Sequence, residues 1–261
     1  MARTFLLTLC LSLLLSGTIA AEERNVSSLG RLEPFNGVIR LSGPSGVGMS
    51  GSVIKELSVA EGDWVEQDQI VAYLDSYQLR RAEVARLEAI LDNAQREMTR
   101  QQDLAKTSAT SRTQLDAATM ELNIARADLS AAQARLELSV VRAPLRAQVL
   151  EVHSYPGESV GPDGILELAQ TDRMYAVAEV YETDISRVRV GQAATVKGAA
   201  LGDGVRGKVE RIALKVGRMD VLGTDPIAKT DARVVEVFIL LDNSKSVAGL
   251  TNMQVEVEIE S

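Results

Sequence analysis

The sequence predicts a mostly β protein with an inserted α-helical coiled-coil hairpin. Three patterns support this: a β half-motif that occurs twice, apolar stripes at heptad spacing between the copies, and alternating strands in the last third of the chain. A length of 261 residues allows more than one domain with a buried core. We therefore expect an elongated, multidomain protein.

The composition excludes several classes of function. A net charge of −8 and 3% aromatic residues give neither the basic surface nor the stacking platform of a nucleic-acid-binding protein. Cys10 is the only cysteine, and it lies in the N-terminal apolar segment. Disulfides and thiolate metal sites are therefore not expected in the mature chain. We also expect no catalytic, cofactor-binding or metal-binding residues.

The N-terminal segment 1–21 has the pattern of a secretory signal peptide. One positive charge precedes an apolar run from Phe5 to Leu15, and small residues follow that run. The uncharged stretch from Thr4 to Ala21 is also barely long enough to span a membrane, so an uncleaved N-terminal anchor is the alternative. Export without disulfides fits the bacterial periplasm.

A glycine-rich loop, GPSGVGMS at 43–50, differs from a phosphate-binding loop by having Met49 where lysine would contact the terminal phosphates. The following residues, GSVIKELSV, alternate like a strand and not like the helix that such a loop requires. The stretch VFILLD at 237–242 reads as an ordinary strand and turn. A degenerate nucleotide-binding protein is therefore a disfavoured alternative.

The segment 52–74 recurs as 147–169 at a constant offset of 95 residues. Each copy reads as strand, glycine turn, short strand, turn and strand. A lone hairpin is marginal in water, so we expect the two copies to cover each other's apolar faces. The identical pairs are Glu56 and Glu151, Gly62 and Gly157, Val65 and Val160, Asp68 and Asp163, and Ile70 and Ile165.

The motifs E-G-D-x-V-x-x-x-Q-x-[IV]-A and P-G-E-x-V resemble the two halves of a biotinyl/lipoyl domain. Carrier proteins of that type have a lysine at the junction of the halves, whereas the first half here ends in Leu74-Asp75-Ser76. A split domain, 51–76 with 146–171, resembles the periplasmic adaptor subunits, or membrane fusion proteins, of the HlyD-like family. A lipoyl or biotin carrier is the alternative.

Residues 77–140 between the halves predict two helices with apolar stripes at spacings of three and four. The first stripe is Val84, Leu87, Leu91, Ala94, Met98, Gln101 and Ala105, and the second is Leu115, Ala118, Leu122, Ala125, Leu129, Ala132 and Leu136. The polar stretch 107–111 can end one helix and cap the next. Because the lipoyl-like halves must meet, the helices must double back as an antiparallel hairpin. The alternative is that the heptads join two chains.

At the expected tip of the hairpin, Arg100, Leu104 and Ser111 resemble the motif by which adaptors of TolC-type systems contact the outer-membrane duct. This resemblance makes the three residues candidates for partner binding. The alternative is an exposed arginine, a seam leucine and a helix N-cap serine.

The C-terminal third, 172–261, predicts an antiparallel β-barrel, and a membrane-proximal domain could share its last strands. Residues 30–50 predict membrane-proximal strands. The sequence of the C-terminal third resembles the DevB-like branch, adaptors of ABC exporters associated with glycolipid export. The resemblance implies a hexameric ring between an inner-membrane ABC permease with its ATPase and a TolC-type outer-membrane protein. The resemblance also implies candidates for a transporter-facing or inter-subunit surface: Asp225, Pro226, Asp231 and Arg233. The alternative is that these residues form a solvated turn before a strand.

We therefore expect a non-enzymatic periplasmic adaptor, associated with the inner membrane, of a tripartite ABC-type efflux or export system. An adaptor of a non-ABC efflux pump is a further alternative. The sequence also predicts the environments of two single residues. His153, the sole histidine, is expected on a strand surface without a partner cluster, and Trp64 is expected in the lipoyl-like core.

Overall fold

The computed structural model describes residues 25–44, 51–219 and 233–260. The predicted signal peptide and most of the glycine loop lie outside the described residues. The chain forms two compact units. The hairpin unit comprises Glu33–Met174 and Ser244–Thr251, and the barrel unit comprises the start of the chain up to Leu32, Tyr175–Asn243 and the residues from Asn252 onward.

Antiparallel strands form the sheets of the hairpin unit. The strands are β1 (Val26–Leu41), β2 (Ile54–Leu57), β3 (Trp64–Val65), β4 (Ile70–Leu74), β5 (Val140–Arg142), β6 (Ala147–Val152) and β7 (Leu166–Tyr181), of which β1 and β7 also contribute residues to the barrel unit. One sheet has the order β2-β4-β5, while β3 pairs with β6 and β6 pairs with β7. The strand predicted after the glycine loop is thus confirmed as β2.

The two half-motifs close on each other, as the sequence predicts. The Ile54 amide donates to the Glu158 carbonyl at 2.9 Å, and the Gly157 amide donates to the Ile54 carbonyl at 2.8 Å. On the other side, the Gly62 amide donates to the Val149 carbonyl at 2.9 Å. Both halves contribute to one buried cluster, whose members include Ile54, Val65, Val71, Leu74, Val149, Ile165 and Leu168.

The copies differ in their middle strand. The first copy has β3, whereas the corresponding part of the second copy makes only isolated bridges, Val53 with Ser159 and Gly161 with Gly164. Pro162 lies between the last two residues, and proline has no N–H to donate to a ladder. This explains why no regular strand forms there, and the short strand predicted for the second copy is therefore wrong.

The helices α1 (Tyr77–Lys106) and α2 (Arg112–Glu137) form the predicted hairpin. Val84 and Leu87 pack against Ala132, and Ala94 packs against Leu122 and Ala125. The predicted seam is therefore confirmed over most of its length. It is wrong at Ala105, which is exposed because it lies in the last turn of α1, close to the loop. Within the described ranges, no helix combines the length and apolar character needed to cross a membrane.

The barrel unit is antiparallel. Its strands β8 (Ala193–Lys197), β9 (Val205–Arg218), β10 (Arg233–Leu241) and β11 (Gln254–Ile259) follow the order β1-β11-β8-β9-β10-β7. β1 also pairs with β7, which closes these six strands into a ring. Gly30 permits this closure, since a Cβ there would lie 2.5 Å from the Val177 carbonyl oxygen. Mostly β structure with an inserted helical hairpin is therefore confirmed.

A charged cluster lies within the barrel unit. Glu179 on β7 and Glu236 on β10 are directly opposite each other in the ladder. The Arg31 guanidinium donates to both, at 3.2 Å to Glu179 Oε1 and 2.9 Å to Glu236 Oε1. Glu179 is only 1% exposed, so its carboxylate depends on charge-assisted hydrogen bonds.

Candidate functional site

The tip of the hairpin is held by its own hydrogen bonds. α2 begins with a capping box, in which the Ser111 hydroxyl accepts from the Gln114 amide at 3.2 Å and the Gln114 side chain accepts from the Ser111 amide at 3.0 Å. The Thr110 hydroxyl donates to Gln101 Oε1 on α1 at 2.6 Å, which joins the two helices. The loop therefore presents a defined surface.

The loop hydrogen-bonds back to a carbonyl group in the last turn of α1. The Leu104 carbonyl accepts from the Ala109 amide at 2.9 Å and from the Thr107 amide at 3.2 Å. Between them, Ser108 has φ +56°, the left-handed conformation common just after a helix end. Lys106 pairs with Asp103 at 2.8 Å, and this hydrogen bond raises the pKa of Lys106 above its ordinary value.

The three predicted tip residues lie close to this loop but differ in environment. Arg100 is 68% exposed and forms an ion pair with Glu97. Leu104 is 37% exposed, so it is an apolar side chain open to a partner. Ser111 is exposed as a residue, but its hydroxyl is engaged in the N-cap. Their role in binding an outer-membrane duct stays a prediction.

The second group of predicted residues is only partly described. Asp225, Pro226 and Asp231 lie outside the described residues. Arg233 is the exposed first residue of β10, where it lies opposite Arg218 of β9. Its role at a transporter or inter-subunit surface stays a prediction.

α2 and its C-cap residue Leu138 carry a second apolar stripe that was not predicted from the sequence. Each of its positions is two residues after a seam position, which is about 200° around a helix and so nearly the opposite face. All seven positions are exposed, including Met120 at 60%, Ile124 at 47% and Leu138 at 46%. A second heptad register in the same sequence could have revealed it. We call these residues the outer stripe: Ala117, Met120, Ile124, Ala127, Ala131, Ala134 and Leu138.

The opposite face of α1 has a different character. The positions two residues after its seam are mostly polar, and each of the three arginines among them is ion-paired with an acidic residue of the same helix. These positions are Arg86, Ala89, Asn93, Arg96, Arg100, Asp103 and Thr107. Arg86 donates to Glu83, and that hydrogen bond lowers the pKa of Glu83 below its ordinary value. This face of α1 is therefore polar and ion-paired, whereas the outer stripe is apolar.

Two single-residue expectations are wrong. Trp64 is 40% exposed, and the Arg146 guanidinium lies 4.4 Å from its ring centroid. Trp64 pairs with Gln148 at the end of a two-residue strand, which turns its ring away from the core. His153 does have a partner cluster, because Glu151 and Glu167 lie within 4 Å of its ring nitrogens.

Comparison with known proteins agrees with this architecture. Residues 76–140 match the family described as RND MFP, alpha-helical hairpin domain. The macrolide export protein MacA of Escherichia coli O157:H7 is 29% identical over 203 residues, which cover 66% of this chain and 53% of MacA. The multidrug resistance protein MdtA of Salmonella typhimurium strain LT2 is 29% identical over 195 residues, covering 69% of this chain and 46% of MdtA. The chain thus spans about half the length of the curated relatives it matches.

Solved structures show the same fold. A MacA–MexA chimera that contains the Pseudomonas aeruginosa MexA α-hairpin domain has a TM-score of 0.72 at 19% identity, covering 91% of this chain and 79% of the chimera. The membrane fusion protein Spr0693 of Streptococcus pneumoniae R6 has a TM-score of 0.67 at 18% identity, covering 90% of this chain and 99% of Spr0693. Placement in the DevB-like branch stays a prediction. The resemblance to membrane fusion proteins is confirmed: the chain carries the helical hairpin domain of the RND membrane fusion proteins within a fold that solved membrane fusion proteins share.

Proposed function

We propose that this chain is a periplasmic adaptor of a tripartite ABC-type efflux or export system. It would bridge an inner-membrane ABC transporter and a TolC-type outer-membrane duct, without catalysing a reaction itself. The observation that carries the proposal is a helical hairpin with a closed seam and an ordered tip, matching the hairpin domain of membrane fusion proteins.

The hairpin has the properties of a spacer. A helix of 30 residues is about 45 Å long. Buried seam side chains such as Leu87 and Leu122 each contribute roughly 1.5 to 3 kcal/mol, whereas exposed helical ion pairs contribute only about 0.3 to 0.5 kcal/mol. The seam therefore keeps the two helices together and holds the tip residues at a fixed distance from the lipoyl-like halves.

The outer stripe supports self-association into a ring, for which six subunits are expected. An apolar helix face that continues over seven heptad positions is typical of a surface covered by another helix. Covering Met120, Ile124 and Leu138 with a neighbouring hairpin would remove three large apolar side chains from water. The polar, ion-paired face of α1 is less suited to such a contact.

The partner transporter is either an ABC permease or a pump of another class. The DevB-like sequence resemblance supports an ABC permease, and glycolipid export is the cargo that this resemblance implies. The matched family description names RND membrane fusion proteins, which supports an adaptor of a non-ABC pump as the second candidate. Capture of one transporter class from membranes of the source bacterium by the full chain would decide between them.

Co-purification from such membranes tests the bridge. The native chain is expected to retain a transporter and a TolC-type protein together. Arg100→Ala and Leu104→Ala are expected to lose the TolC-type protein and keep the transporter. Arg96→Ala is the matched control, because Arg96 lies one turn earlier on α1, is 72% exposed and also forms a helical ion pair. Capture of neither partner by the native chain would refute the proposal.

Sedimentation of the purified full chain tests the ring. Ile124→Glu places a charge in the outer stripe and is expected to reduce the assembly to monomers. Ile90→Glu is the matched control, because Ile90 is 38% exposed on α1 and lies outside the outer stripe. Equal assembly by both variants would show that the outer stripe does not join subunits.

A further inference from the structure

Two glutamates in the hairpin unit lie directly opposite each other, and no arginine of the described ranges contacts both. Glu151 on β6 pairs with Glu167 on β7 in the antiparallel ladder. Like charges directly opposite each other destabilise a sheet. The opposed pair in the barrel unit, Glu179 and Glu236, is bridged by one guanidinium that contacts both carboxylates. Arg40 makes a salt bridge to Glu167 at 2.9 Å, but this ion pair does not include Glu151.

The imidazole of His153 lies beside both carboxylates. Its Nε2 is 3.5 Å from Glu167 Oε1, and its Nδ1 is 3.8 Å from Glu151 Oε1. Nε2 is buried and has no hydrogen-bond partner among the described residues. One potential ligand atom from each of the three residues lies within 4.8 Å of the other two. A buried ring nitrogen without a hydrogen-bond partner, next to two carboxylates, can serve as a cation ligand in the tautomer that carries its proton on Nδ1.

We propose that His153, Glu167 and Glu151 form a binding site for a divalent cation of the zinc type. Zinc takes imidazole nitrogen and carboxylate oxygen at about 2.0 to 2.2 Å, so neighbouring ligand atoms of a tetrahedral site are roughly 3.4 Å apart. The distance between His153 Nε2 and Glu167 Oε1 is 3.5 Å, close to this separation. Glu151 is 63% exposed, so its carboxylate can rotate to supply the third ligand. Three protein ligands leave one position for water.

Arg40 is compatible with this site. Arg40 Nε and His153 Nε2 both approach the same oxygen, Glu167 Oε1, at 2.9 Å and 3.5 Å. Each oxygen of an ionised carboxylate has two lone pairs, so Oε1 can accept from Arg40 with one and bind a cation with the other. Hydrogen bonds of this kind orient metal ligands in many proteins. Arg40 is 65% exposed, so water screens its charge from the site.

The repeated half-motif offers an internal comparison. At the offset of 95 residues, Glu151 corresponds to Glu56, His153 to Ser58 and Glu167 to Ala72. Only the second copy therefore combines a histidine with two glutamates. Glu56→Gln is a matched control that removes a carboxylate from the equivalent strand of the other copy.

Zinc titration of the purified full chain, freed of metal with a chelator, tests the site. The probe is Zn²⁺ in competition with a chromophoric chelator, and Co²⁺ absorption reports tetrahedral geometry. We expect one strongly bound ion per chain for the native protein and for Glu56→Gln. We expect His153→Gln to lose this ion, and Glu167→Gln and Glu151→Gln to weaken binding at least tenfold.

Thermal unfolding separates loss of the site from loss of the fold. Zinc should raise the melting temperature of the native chain and of Glu56→Gln, but not that of His153→Gln, because a ligand stabilises only the state that binds it. Circular dichroism should show that His153→Gln is folded. The proposal is overturned if the native chain binds no zinc, or if folded His153→Gln binds it as tightly as the native chain.

Discussion

Replacing Arg31 by methionine tests how the barrel unit accommodates a buried carboxylate. The substitution keeps a side chain of similar length and removes the guanidinium that hydrogen-bonds both Glu179 and Glu236. These two carboxylates are directly opposite in the ladder between β10 and β7. Without Arg31 they would repel each other, and Glu179 would lose its guanidinium partner while remaining buried.

The magnitude follows from the burial of the three groups. Removing one partner of a buried ion pair costs about 3 to 5 kcal/mol. Glu179 is 1% exposed, but Arg31 is 24% and Glu236 is 37% exposed, so water screens part of the interaction. We therefore expect a loss of about 3 kcal/mol in the free energy of unfolding of the barrel unit.

The assay must report on the barrel unit itself. The only tryptophan, Trp64, lies in the hairpin unit, so its fluorescence would follow the wrong part of the chain. Amide hydrogen exchange of β10 and of the end of β7 measures opening of the barrel directly. Arg187→Met is a control, because its ion pair with Asp184 joins two side chains that are 44% and 37% exposed, neither of which is buried, and should contribute below about 1 kcal/mol.

A double variant tests whether the unpaired buried charge of Glu179 causes the loss of stability. Arg31→Met combined with Glu179→Gln removes the buried charge together with its partner, and the double variant should recover at least half of the loss. If Arg31→Met alone stays within about 1 kcal/mol of the native protein, the cluster does not stabilise the barrel. If the double variant is less stable than Arg31→Met, repulsion between the carboxylates is not the cause.

Three further predictions concern single positions. Gly30→Ala should destabilise the barrel unit by about 1 to 3 kcal/mol in hydrogen exchange, because the new Cβ would lie 2.5 Å from the Val177 carbonyl oxygen. Ser108→Gly should stabilise the hairpin by up to about 1 kcal/mol and so raise its melting temperature. The reason is that φ at this position is +56°, a conformation that glycine adopts more readily than serine. The folded-state pKa of Glu83 is lowered by its hydrogen bond from Arg86, so this contribution to stability is present above the unfolded pKa and is lost as pH falls through the folded pKa. In a carboxyl-carbon NMR titration, Arg86→Gln should raise the pKa of Glu83 toward its ordinary value.

Each of these predictions has a control and a contrary outcome. Gly217→Ala should be near neutral, since nothing lies within 4 Å of a Cβ built there. Equal losses for both glycine variants would show that crowding is not responsible. A melting temperature that falls in Ser108→Gly would mean that the serine side chain matters more than its backbone conformation. An unchanged Glu83 titration in Arg86→Gln would remove the assigned cause of the pKa shift.

The parts of the fold predicted well are those in which local periodicity and tertiary packing agree. The seam residues Leu87 and Leu122 are buried because their heptad spacing gives each helix one continuous apolar face. Ser111 caps α2 because a serine followed three residues later by glutamine forms a capping box from local residues alone. The closure of the two half-motifs follows because neither buries its apolar side chains by itself.

The parts that were wrong depend on contacts between distant residues. Trp64 is apolar and lies in a strand, but the direction of its ring depends on pairing with Gln148, which is 84 residues later in the chain. Ala105 continues the heptad, yet no residue of the opposite helix covers it to the point of burial. The outer stripe is visible in the sequence, but only its exposure distinguishes it from a second buried face.

By itself, the sequence determined both helices, most of the strands, the repeated half-motifs and the antiparallel return of the helices, because hydrophobic periods and turn residues act over a few positions. Only the tertiary structure decided which carboxylates meet: Glu151 with Glu167 beside His153, and Glu179 with Glu236 around Arg31. Strand register brings these residues together across 16 and 57 positions of the chain, and a shift of one residue would turn each side chain to the other face of its sheet.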